Sequence, residues 1–225
     1  MALTLQTYLT KPLEREYEAW FVTALEAYFE AKGRDFRIWA VSPSDESTWP
    51  ADEHLSTEEK LVGLQFKQAK LALPEVPDPD FDRLNWTFSQ PSKQFELIQR
   101  CPEIFYCLPT FLNRKWKEAV LDHSILWRPE PGDEVNYNAW YNNPAARTPY
   151  KALNTHFTAL RWGEFYEKLL ACQAGIVLSG NRSLTRYLQA LRSLLQELET
   201  QPEGPIEEVG YAERSPLYLL GIGIG

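Results

Sequence analysis

Ile104-Phe-Tyr-Cys-Leu-Pro109 is the segment that most narrows what this chain can become. It is a run of apolar, aromatic and β-branched residues without the polar alternation of a strand that faces water on one side, so it reads as a strand covered on both faces. Upstream of it, Ser92 caps a predicted helix over 93–100 whose Phe95, Leu97 and Ile98 give it an apolar side. Before that helix, Leu61-Val-Gly-Leu-Gln-Phe-Lys67 opens a predicted strand over about 62–71. Strand, helix, strand in this order calls for a right-handed crossover within a parallel or mixed sheet. The expected fold class is therefore α/β, with a mixed central sheet flanked by helices.

The flanking layers are legible in the same way. Leu13, Tyr17, Trp20, Phe21, Ala24, Leu25, Tyr28 and Phe29 recur at helical spacing and predict a first helix over 12–31 that stops at Gly33. Thr10 is its expected cap, and Glu14, Glu16 and Glu18 sit near the positive end of its dipole. Phe36–Val41, 84–89 and Ser124–Trp127 read as strands, and 113–122 as a short helix carrying Arg114, Lys115 and Lys117 around Trp116. Those three cations form either a phosphate-contacting surface or an ordinary solvated helix face. The Pro-rich acidic stretch 74–82 and the aromatic stretch 136–150 read as loops. The last third is mainly helical: one helix lies within 159–175, and leucines at 184, 188, 191, 194, 195 and 198 predict an amphipathic helix over 183–199. The tail 216–225 reads as an edge strand weakened by its glycines. The expectation is a single domain over 1–225, with a core at about 10–130 and a helical C-terminal extension at about 150–225.

Composition removes several classes of function. A hydrophobic fraction of 44% and an aromatic fraction of 13% exclude a disordered chain. With Lys plus Arg at 23 and Asp plus Glu at 31, the net charge of -8 disfavours indiscriminate nucleic-acid binding, so a nucleic-acid enzyme of this charge needs a local basic patch. Cys101, Cys107 and Cys172 are odd in number and widely spaced, as for free thiols in a reducing compartment, and His54, His123 and His156 lack zinc spacing. No nucleophile elbow, phosphate loop or dinucleotide fingerprint occurs. The N-terminal residues lack the pattern of a signal peptide and no stretch reaches ~18 apolar residues, so a cytoplasmic protein with no membrane partner is expected.

Chemistry is concentrated near Gln65 and Lys67. Alternate strand residues share a face, so an amide and an ammonium group project together, with Asp52 thirteen residues before Gln65. This is either a solvated strand face or the beginning of a site for a metal ion and a phosphodiester. Taken in order, Ala51-Asp-Glu-His-Leu55, Leu64-Gln-Phe-Lys67, Trp86-Thr-Phe88, Lys93-Gln-Phe-Glu-Leu-Ile98 and Phe105-Tyr-Cys-Leu-Pro109 resemble a branch of bacterial proteins with a Gln-x-Lys motif, and the order resembles the core of the PD-(D/E)xK, restriction-endonuclease-like superfamily. The resemblance implies a restriction-endonuclease-like core and Mg2+-dependent phosphodiester hydrolysis on DNA. It further implies Asp52 as metal ligand, Gln65 at the acidic position as a weaker ligand, Lys67 as the water-orienting cation and an early glutamate, Glu14, as a second carboxylate. Glu18 and Glu26 are alternatives for that carboxylate, and Glu58 or Glu59 for the acidic position. The rival expectation is a non-catalytic interaction or scaffold protein that keeps this fold and meets a partner, or itself, through the aromatic stretch 136–150 and the leucine-rich C-terminal helix.

Overall fold

The computed structural model describes residues 12–34, 36–41, 59–71, 84–88, 94–131, 133, 158–178, 184–200 and 217–223. Its elements are, in order, α1 (Glu14–Ala31), β1 (Phe36–Val41), β2 (Glu59–Phe66), β3 (Lys70–Leu71), β4 (Leu84–Asn85), α2 (Gln94–Arg100), β5 (Ile104–Pro109), a 3-10 turn (Arg114–Ala119), β6 (Ser124–Trp127), β7 (Ala159–Arg161), α3 (Trp162–Leu170), β8 (Ile176–Leu178), α4 (Leu184–Thr200) and β9 (Leu217–Gly223). The main sheet runs β1-β9-β2-β5-β6-β7, and β8 pairs with the opening residues of β2. β2 and β5 are parallel, with Gly63 opposite Ile104 and Gln65 opposite Tyr106, whereas β9, β8 and β6 join their neighbours antiparallel. The sheet is therefore mixed, as the strand–helix–strand order predicts.

Alternation along the strands divides the core into two layers. Val62, Leu64, Phe66, Phe105, Cys107 and Leu126 face α1 and α3, where Tyr17, Phe21, Leu25, Phe29, Trp162 and Phe165 complete one cluster. Ile104, Tyr106, Leu108, Ile125 and Trp127 point the other way, onto Phe95, Leu97 and Ile98 of α2 and Leu191 and Leu198 of α4. β5 is buried along its whole length, because both of its faces carry helices.

Several polar contacts pin the layers together. Arg114 grips Glu16 with two guanidinium nitrogens, at 2.7 and 3.2 Å, tying the 3-10 turn to α1. The Glu16 carboxylate also accepts the Leu13 N–H at 2.8 Å, capping the start of α1, and the Arg114 guanidinium, helped by this N–H, holds the Glu16 pKa below its ordinary value. Buried Lys60 donates to the Leu169 carbonyl, placing a cation at the carboxyl end of α3 where the helix dipole is negative. The Tyr187 hydroxyl donates to Glu103 at 2.6 Å and fastens α4 to the entry of β5.

The structure corrects parts of the sequence reading. The predicted strand over 62–71 is two strands, β2 and β3, with Lys67, Gln68 and Ala69 between them, and β3 leaves the main sheet to pair with β4. The helix expected within 159–175 is the nine-residue α3, and a strand not assigned from the sequence, β7, precedes it. β9 is an interior strand, bonded to β1 on one side and β2 on the other, in place of the edge strand expected there. The last third is consequently more than a helical extension, since β7, β8 and β9 all join the main sheet. The leucine stripe of α4 turns Leu191, Leu194 and Leu198 into the protein's own core. Thr10 and the stretches 74–82 and 136–150 lie outside the described residues, as does Ser92. Among the described residues, no helix is long and apolar enough to cross a membrane.

Candidate functional site

The carboxyl end of β2 carries Gln65 and Lys67 and brings Lys67 within electrostatic reach of Glu14. β2 stops at Phe66 because the chain must swing out toward β3, yet the Lys67 N–H still donates to the Cys107 carbonyl of β5 at 3.3 Å. Gln65 and Lys67 thus stay on the Tyr106 side of the sheet, with the Lys67 ammonium 5.8 Å from the centre of the Tyr106 ring. Next along the chain, the Gln68 N–H donates to the Glu14 carboxylate at 2.9 Å and the Gln68 side chain donates to the Pro12 carbonyl at 2.9 Å. The amino end of α1 is thereby bolted to the carboxyl end of β2, and Glu14 sits within electrostatic reach of Lys67. This junction stands at the carboxyl ends of the parallel pair β2 and β5, where open α/β sheets place their ligands.

Burial sets the electrostatics. Lys67 is 5% exposed and Gln65 2%. Burial lowers the Lys67 pKa to about 8 against the pull of the Glu14 charge, with Lys70 adding to the lowering. One turn along α1, Glu18 is 9% exposed, and burial, reinforced by the Glu14 charge and opposed by Arg15, raises its pKa to about 7. The Gln65 amide nitrogen makes one long contact, 3.5 Å to the Phe66 carbonyl.

The remaining candidates fall elsewhere. Asp52 and Glu58 lie outside the described residues. Glu59 opens β2, roughly 20 Å of strand from Gln65. Glu26 is exposed on α1, about 18 Å along the helix from Glu14. Neither geometry serves the carboxyl end of β2. Arg114 is committed to Glu16, and Lys115 lies over the Trp116 ring at 5.3 Å. His123 packs on Trp116 with ring centres 4.2 Å apart, and burial lowers its pKa. Among the described residues no three His, Cys, Asp or Glu side chains gather closely enough to hold a metal ion. Near the Lys67 ammonium, the Glu14 carboxylate and the Gln65 amide each carry oxygen, the donor type that Mg2+ takes. The resemblance offers Glu18 as an alternative to Glu14 for the helix carboxylate, and its burial could not be read from spacing.

Glu18 supplies a pH test. Its folded pKa is raised, so the folded state holds its proton more tightly than the unfolded chain. Stability contributed by that proton is full below about pH 4.5 and is lost as pH rises through about 7. Glu18→Gln is expected to raise unfolding stability at pH 8 by about 1 kcal/mol after allowance for solvent screening, with no gain at pH 4. Urea titrations at the two pH values check this, and an equal change at both would show that the carboxyl titrates normally.

No protein-family model, curated protein or solved structure matches this chain.

Proposed function

We propose that this protein hydrolyses phosphodiester bonds in DNA with Mg2+ at the carboxyl end of β2, on a restriction-endonuclease-like core. The observation that carries this reading is the junction itself: the Glu14 carboxylate, held on the Gln68 N–H, lies within electrostatic reach of buried Lys67 at the carboxyl end of a parallel strand pair. Glu14 and Gln65, with Asp52, would hold Mg2+, which when bound makes a water more acidic and offsets charge growing on the phosphorus centre. Lys67, with a pKa of about 8, stays mostly protonated at neutral pH and offers N–H donors to a water or a phosphate oxygen. The Tyr106 ring beneath it and the Glu14 charge beside it hold that ammonium in one place. Gln65 contributes an oxygen without a charge, so the site binds a cation more weakly than one built from carboxylates alone.

Burial favours a second reading. With Gln65 2% and Lys67 5% exposed, the junction also suits a non-catalytic protein in which Gln68 and Glu14 fasten α1 to the sheet.

One pair of measurements separates the two. The nuclease reading expects nicking of supercoiled plasmid by wild-type protein in Mg2+ or Mn2+, and at least a hundredfold loss in Lys67→Met with an unchanged circular dichroism spectrum. It also expects calorimetric Mn2+ binding that weakens about tenfold in Glu14→Gln. Wild-type cleavage by Lys67→Met, or no heat of Mn2+ binding in the millimolar range, would leave only the non-catalytic protein.

A further inference from the structure

We draw no further inference here: the strongest candidate, the groove between α1 and the 3-10 turn beside Trp20 and Tyr28, carries none, because nothing in the structure shows what covers it.

Discussion

Phe21→Ala is expected to destabilise the protein by about 3–5 kcal/mol, a large share of the ~5–15 kcal/mol that separates folded from unfolded chains of this kind. Phe21 is wholly buried on α1, with its ring 5.6 Å from Phe66 of β2, 6.2 Å from Tyr17 and 6.1 Å from Trp162 of α3. One side chain therefore touches a strand and both helices of that layer, and interlocked rings cannot collapse into the space its loss leaves. Phe21→Leu should cost much less, since it retains most of the volume. Urea unfolding followed by circular dichroism gives both numbers, and a loss below about 1 kcal/mol for the alanine variant would mean that α1 is not seated on β2. Because the seating of α1 also carries Glu14 to Gln68, the same variant is expected to loosen the β2 junction.

Gly175→Ala should be nearly as damaging, by about 2–5 kcal/mol, for a reason no contact list of the native residue reveals. Gly175 has φ +78, and a Cβ there would stand 2.7 Å from the Leu61 carbonyl oxygen and 2.7 Å from the Val62 side chain. A left-handed backbone costs an alanine about 1–2 kcal/mol, and forcing atoms into a packed site adds about 1–3. The obstacle is the backbone of β2 itself, which is held by β9 and by β8 at that point. Gly33→Ala isolates the conformational part: φ is +62 but nothing lies within 4 Å of the added carbon. It should cost only about 1–2 kcal/mol. Equal losses for the two variants in thermal or urea unfolding would show that Gly175 has room for a side chain.

The elements that stand out in the sequence are those whose pattern is local. The apolar stripe of α1, the unbroken run of β5, the four residues of β6 and the leucines of α4 each have a period or a run long enough to declare itself, and the structure agrees with them to within a few residues. β7 and β8 are three residues each and become strands only because a partner strand is there to bond them. β9 reads as a weak edge because its glycines argue against burial, yet its pairing with residues far upstream outweighs that local preference. The split of the 62–71 run follows from the start of α1, where Glu14 and the preceding Pro12 hold Gln68 away from a continuing ladder. At the candidate site, alternation was enough to put Gln65 and Lys67 on one side. The proximity of Glu14 to Lys67 is tertiary and is implied only by the resemblance. Lys60 and Glu16 gave no signal beyond being charged, since a lysine capping a distant helix and a glutamate gripping Arg114 depend on elements more than ninety residues away.

The placement of β9 has a consequence for how the chain reaches its native state. Residues 217–223 fill the slot between β1 and β2, so until they pair, each of those strands presents an edge without its native partner. Such edges are templates for association with other chains. Pairings between residues so distant in sequence also form slowly. Refolding is therefore expected to be slow for a chain of this size and prone to association, with sheet closure governed by the pairing of β9 with strands far upstream.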